Sequence, residues 1–317
     1  MLKSAKTRWI ILAVVIAAVI ALPFIADSAY LRSLIITICI YSIYAMSYDL
    51  LLGYTGIASF GHAIYFGLGA YIVAYMTVRL HWHPVAALIL VIAACIVVSF
   101  VIGFISVRVK NLYFNMVTMA LGQLFYVLAA KLYKITGGDD GLPGVRNMFP
   151  NKTVFYVFIV ILMVAVYFFC RRIVNSPTGK VLQAIKNNEG RVALLGYDTL
   201  KFKMLIIQIS GILAGIVGAF YVTHVGIAYP TLLHSSLTLQ ALFMVVLGGS
   251  GTLYGGIIGA VIMRLADSIL SRFTTRWMLI LGVIFILAIL FFPKGTVGAF
   301  GKLAEKLRKN SKPGNHE

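Results

Sequence analysis

Acidic residues are scarce. Only 9 Asp and Glu stand among 317 residues, against 27 Lys and Arg, and charged residues of both signs make up 11% of the chain. A water-soluble domain carries about 25% charged residues, so an ordinary soluble fold is excluded. Cysteine is nearly absent too. Cys39, Cys95 and Cys170 each lie inside an apolar run and no CxxC occurs, which excludes a disulfide framework and a structural zinc site. No GxSxG elbow, no HExxH and no pair of carboxylates within one apolar run is present. Nothing marks the chain as an enzyme or as the holder of a cofactor or metal. A nucleotide P-loop needs GxxxxGK followed by Ser or Thr, but Gly179-Lys180 is followed by Val181, and Gly248–Gly256 contains no Lys. The chain therefore carries no recognisable ATPase engine.

What is abundant is apolar surface. Sixty-one per cent of residues are hydrophobic. Apolar runs cover 9–26, 33–52, 57–79, 84–106, 111–131, 154–172 and 201–222, then a long glycine-interrupted stretch over 235–270, and a last run at 277–293. Most are long enough to cross a ~30 Å hydrocarbon core as helices. They do not alternate apolar and polar as barrel strands do. The expected fold is all-α, a polytopic membrane helix bundle. It has about ten transmembrane helices, or nine if 235–270 crosses once. The net charge of +18 is read as orientation in a bilayer rather than nucleic-acid binding, because most basic residues flank the apolar runs. Ten spans put 18 of the 27 Lys and Arg on the inside, and nine spans put 15 there. The positive-inside rule favours ten spans with both termini cytoplasmic. That gives a cytoplasmic N-terminus at 1–8, a transmembrane domain at 9–293, and a basic cytoplasmic tail at 294–317. The first run is read as a retained span rather than a cleaved signal peptide. Arg264, Arg272 and Arg276 are assigned to an outer segment.

Two glycine-broken segments match. Leu52-Gly53-Tyr54-Thr55-Gly56, then Gly61, is paralleled 195 residues later by Leu247-Gly248-Gly249-Ser250-Gly251, then Gly256. Both lead into a Gly-Ala step, at Gly69-Ala70 and Gly259-Ala260. Paired breaks in two halves point to a transporter built from two related halves. Glycines that only let helices approach closely would give the same pattern. The candidate translocation path comprises Asp49, Gly53, Gly56, Gly61, Gly248, Gly249, Gly251 and Gly256. Asp49 is the one acid well within an expected span. It reads either as a solvated residue near the inner interface or as a proton-relay group, which would make the chain an ion-coupled secondary transporter. His62, His224 and His234, with His81-Trp82-His83, fall near expected membrane edges, where an aromatic belt accounts for them. Asn115, Gln123 and Gln208 suit either interhelical hydrogen bonds or a path. The loop at 132–153, with Gly137-Gly138-Asp139-Asp140-Gly141 and Pro143-Gly144, reads as a polar turn. A calcium site would need more oxygen ligands at defined spacing.

The largest expected cytoplasmic insertion is 171–203. Ser176-Pro177 reads as an N-cap followed by proline at the first helical position. Val181, Ile185, Val192 and Leu195, with Asn188 between, fall on one helical face. Lys180, Lys186, Glu189 and Arg191 supply polar faces. Gly190 should weaken the helix midway, and Gly196 should end it. Such a helix can lie in the headgroups or dock into a groove of a soluble partner.

Several motifs resemble, as a set, the branched-chain amino acid ABC transporter permeases, and among them the LivM-type subunit. They are Tyr48–Gly56, Ser59-Phe60-Gly61-His62, Gly67–Tyr71, Gly137–Gly144, Ser176–Lys180, Ala184–Glu189, Ala193–Tyr197 and Val246–Gly255, within about residues 40–295. The resemblance implies a permease of the bacterial cytoplasmic (inner) membrane. It would pair with a related, LivH-like second permease subunit and two ATP-binding subunits, and an extracytoplasmic substrate-binding protein would deliver leucine, isoleucine or valine. ATP would be bound by the partners. Permeases for urea, amides and other amino acids belong to the same family. The resemblance also implies that 178–196 is the segment touching an ATP-binding subunit. The coupling residues are then Val181, Ala184, Ile185, Glu189, Ala193, Leu195 and Gly196. A non-transporting membrane scaffold is the third class the apolar runs allow.

Overall fold

The computed structural model describes residues 28–274 except 110, 111 and 150, together with a few positions from 276 to 286. The expected first span at 9–26, most of the last run at 277–293 and the basic tail lie outside the described residues.

Among the described residues the structure is almost wholly helical. The helices are α1 (Ala29–Thr55), α2 (Ala63–Val78), α3 (Pro84–Ser106), α4 (Leu112–Lys131), the single turn α5 (Tyr133–Thr136), α6 (Lys152–Asn175), α7 (Pro177–Leu194), α8 (Thr199–Val225), α9 (Ser235–Gly248) and α10 (Leu253–Phe273). Six of them, α1, α3, α4, α6, α8 and α10, are long and apolar enough to cross a membrane, and α2 and α9 are shorter apolar helices. The 235–270 run is therefore two helices rather than one continuous span.

Glycine decides how closely the helices pack. A Cβ on Gly69 would sit 1.9 Å from the Gly215 carbonyl oxygen, and one on Gly218 would sit 1.9 Å from that of Phe66. These contacts run in opposite sequence order, so α2 and α8 are antiparallel and touch backbone to backbone. Gly248 against Gly255 and Gly259 against Met244 join α9 and α10 in the same way, as a hairpin. In lipid, where no hydrophobic effect draws helices together, such approach supplies dispersion contacts instead.

Helix α1 is the axis of the bundle. Nearly every residue from Ile36 to Thr55 is buried, and α6, α8, α9 and α10 pack around it. By contrast, α3 turns Ile89, Val97, Phe100, Val101 and Phe104 outward. An apolar exposed face of this kind suits lipid rather than water.

The bundle has two distinct ends. At one, a two-strand sheet pairs β1 (Leu142–Pro143) with β2 (Ile227–Ala228), with Leu142 opposite Ala228 and Pro143 opposite Ile227. The glycine-rich loop is a polar turn, with Asp139 and Asp140 exposed, and it is docked on the bundle. The Thr136 hydroxyl donates to the Ala129 carbonyl at 2.6 Å, and Gly141 lies against the Ala228 carbonyl. At the opposite end lie α7, the end of α1 and the α9–α10 turn.

Some sequence expectations change. His62 is fully buried rather than exposed as a residue of an aromatic belt would be. It hydrogen-bonds Ser47 at 3.0 Å and stacks on Tyr44. Arg264 lies within α10 rather than in an outer loop. The break in α7 falls at Asn188, whose backbone is extended, not at Gly190. The Asn188 side chain accepts the Arg191 N–H at 3.0 Å, so it starts a second helical turn as an N-cap does.

Candidate functional site: a junction of two glycine breaks and an amphipathic helix

The two glycine breaks, far apart in sequence, meet in space. The Gly251 N–H donates to Asp49 Oδ1 at 2.8 Å. A Cβ on Gly53 would fall 2.0 Å from that same oxygen and 2.3 Å from the Gly251 nitrogen. Gly251 adopts φ +79°, a conformation glycine reaches at little cost. Asp49 is completely buried, and its second oxygen has no hydrogen-bond partner among the described residues. The carboxylate, expected either as a solvated residue near the inner interface or as a relay, is buried and cross-links the breaks.

Local sequence explains the meeting. Helix α1 ends where Gly56 takes a left-handed conformation, and the N–H groups of Gly56 and Ile57 turn back to the carbonyls of Leu52 and Leu51, a glycine helix stop. On the other side, α9 ends at Gly248, and α10 restarts at Leu253 after only four residues. The Thr252 hydroxyl donates to the Gly249 carbonyl at 2.6 Å and holds that turn.

The third member is Lys186. Its ammonium donates to the Gly53 carbonyl at 2.5 Å, and its stem would touch a Cβ at Gly56. The amphipathic helix therefore grips α1 at the residue that abuts Gly251. A run of contacts leads from α7 through Lys186 and Gly53 to Asp49 and the α9–α10 turn. Sequence reading missed this role of Lys186. Nothing in its immediate sequence separates it from the solvated Lys180.

The remaining expected path residues divide. Gly248 and Gly249 belong to the α9–α10 turn. Gly256 packs on α1 beside Ala45 and Met46. Gly61 lies apart, against the Thr118 carbonyl of α4, where Phe60 N–H also donates to the Thr118 hydroxyl at 3.2 Å.

Helix α7 presents two faces. Ser176 ends α6 and caps α7, accepting the Gly179 N–H at 3.2 Å, with Pro177 in the first turn. Leu182, Ile185 and Val192 are buried against the bundle and Val181 is half-buried, whereas Ala184, Ala193, Leu195 and Gly196 are exposed. Of the apolar face expected of Val181, Ile185, Val192 and Leu195, the first three turn inward, and Leu195, the residue that follows the helix end at Leu194, is exposed. Glu189 faces α8, where it takes an ion pair from Lys203 at 2.5 Å and a hydrogen bond from the Thr199 hydroxyl at 3.1 Å. Beyond the kink, Leu194 is 90% and Leu195 76% exposed, with Tyr197 and Leu200 beside them. Asp198, the cap of α8, is bonded by the Lys201 ammonium, which holds its carboxyl below the usual range. A cleft of about 740 Å³ opens between Thr55–Ala58, Asn115 and the α7 residues from Ile185 to Ala193. Among the described residues no group of His, Cys, Asp and Glu is arranged to hold a metal.

A family model described as "Branched-chain amino acid transport system / permease component" matches residues 30–290. The high-affinity branched-chain amino acid transport system permease protein LivM of Salmonella typhimurium is 24% identical, over 92% of this chain and 75% of its own length. The probable branched-chain amino acid transport permease protein LivM of Methanocaldococcus jannaschii is 25% identical, over 81% of this chain and 90% of its own. The ribose import permease protein RbsC of Escherichia coli is 28% identical over a shorter stretch, 37% of this chain and 39% of its own. No solved structure matches.

Proposed function

This chain belongs to the family of permease components of branched-chain amino acid transport systems, and on that premise we propose how its geometry serves import. It is the LivM-type permease subunit of an ATP-driven importer of branched-chain amino acids in the bacterial inner membrane. The reading gives it ten spans and two related halves, with both termini in the cytoplasm. A second, LivH-like permease subunit completes the membrane part. Two ATP-binding subunits supply the energy, and an extracytoplasmic binding protein supplies leucine, isoleucine or valine.

The α7 end of the bundle is cytoplasmic in this reading, consistent with its basic residues. Leu194, Leu195, Tyr197 and Leu200 form the apolar patch that seats in a groove of an ATP-binding subunit. When those subunits close on ATP, α7 is displaced. The single observation that carries the coupling is the Lys186–Gly53 bond, because it ties α7 to the one place where both glycine breaks touch. Movement of α7 then shifts the end of α1 against the α9–α10 turn. Substrate passes where these breaks leave the helices discontinuous, the usual place for irregular backbone in a transporter.

Reconstitution of the complete transporter in liposomes tests the reading. ATP-dependent leucine uptake that needs the binding protein is the expected result. Uptake by this chain alone, driven by an ion gradient without ATP, would overturn it.

A further inference from the structure

Helix α10 carries a charged pair in its interior. Arg264 Nη1 donates to Asp267 Oδ2 at 3.0 Å, and Nη2 donates to Gln240 Oε1 of α9 at 2.6 Å. The guanidinium lies 3.5 Å from the centroid of the Tyr41 ring of α1. Its Nε–H is shielded from solvent and has no hydrogen-bond partner among the described residues. Tyr221 meets Tyr41 edge to face at 6.0 Å, and its hydroxyl pairs with that of Tyr229 at 3.1 Å. At ~1.5 Å per residue, Arg264 stands about 16 Å along α10 from its start at Leu253. That is near the middle of this helix, whose 21 residues match the ~30 Å thickness of a hydrocarbon core.

Ionised side chains at such depth are costly, and those that occur mark function more often than structure. This pair is not sealed, since the side chains are 15% and 27% exposed at the chain's surface. We propose that Arg264 and Asp267, with Gln240 and the Tyr41 ring, form a transit site for a zwitterionic amino acid. The α-carboxylate is received by the guanidinium and the α-ammonium by the Asp267 carboxylate. This rests on the transport reading and adds residues to it.

Three physical points carry the assignment. The pair is neutral as a whole and so is the zwitterion, so occupancy buries no net charge. The planar guanidinium offers parallel donors matched to a carboxylate, which an ammonium cannot do. The substrate must break the internal Arg264–Asp267 bond to enter, and that bond re-forms behind it. Binding is thereby kept weak, as a site on a conduction path requires.

The test uses the complete transporter in liposomes, with Arg264→Gln, Asp267→Asn and Arg264→Lys. Leucine uptake at least tenfold below wild type in the first two variants, with assembly and ATP hydrolysis within twofold, is expected. Arg264→Lys keeps the charge but not the fork, and an intermediate loss is expected. A second readout separates transit from bracing. Ser268→Cys lies one helical turn from Arg264, and its labelling by a methanethiosulfonate reagent during turnover should slow at least threefold when leucine is present. That protection should vanish in Arg264→Gln. Unchanged uptake in both neutralised variants, absence of leucine protection, or complexes that fail to assemble would each overturn the site. If the unmodified transporter moves no leucine, the transport reading itself fails.

Discussion

Asp49 and Gly251, 202 residues apart, are joined by a hydrogen bond of 2.8 Å from the glycine N–H to the buried carboxylate. That bond makes two sequence-distant helix breaks a single mechanical part. A backbone N–H inside a membrane protein must find an acceptor, and here the acceptor comes from the other break. Gly53 fits between them because it has no side chain.

Gly53→Ala is expected to disrupt this junction. The added methyl would lie 2.0 Å from Asp49 Oδ1 and 2.3 Å from the Gly251 nitrogen, so one of the two must move. Overpacking of this kind costs about 1–3 kcal/mol. Uptake should fall at least tenfold, while Gly256→Ala, whose methyl meets nothing closer than 3.3 Å, should cost much less. Paired uptake assays on the two variants check this.

At Asp49 the acceptor matters more than the charge. Asp49→Asn keeps an oxygen in place of Oδ1 and should retain most transport. Asp49→Leu leaves the Gly251 N–H unpartnered, a loss of about 1–3 kcal/mol, and should abolish uptake and lower the melting temperature. Equal loss in both variants would instead favour an ionisable role for the carboxylate.

The exposed patch after the kink is predicted to be a contact. Leu194→Asp or Leu195→Asp places a charge within the exposed apolar patch, without disturbing the buried side of α7. Co-purification of the ATP-binding subunits should be lost while the permease remains folded. Ala184→Asp, also exposed but before the kink, should weaken assembly less.

Much of this was legible in the sequence, for definite reasons. Run lengths and basic flanks exposed the helices. The Ser176-Pro177 start and the Gly196 end of the amphipathic segment are local chemistry, and both hold in the structure. The spacing of Gly53 and Gly251 identified two breaks. It could not reveal that they touch, because contact between residues 198 positions apart depends on how helices stack. Lys186 was hidden for the same reason. Asn188 overrode Gly190 because a side chain that caps a new turn directs the backbone, whereas a glycine merely permits it. Arg264 left a clue that charge counting passed over. Arg-x-x-Asp within an apolar run puts the two charges on one helical face, which favours a paired, buried site over a loop.

The central claim is that α7 drives the glycine junction through Lys186. The most direct measurement is leucine imported per ATP hydrolysed by the reconstituted transporter carrying Lys186→Met, which keeps the aliphatic stem but cannot donate to the Gly53 carbonyl. The account predicts an assembled complex that hydrolyses ATP near the wild-type rate while importing at least tenfold less leucine per ATP, with partial recovery in Lys186→Arg. A wild-type ratio in Lys186→Met would contradict it.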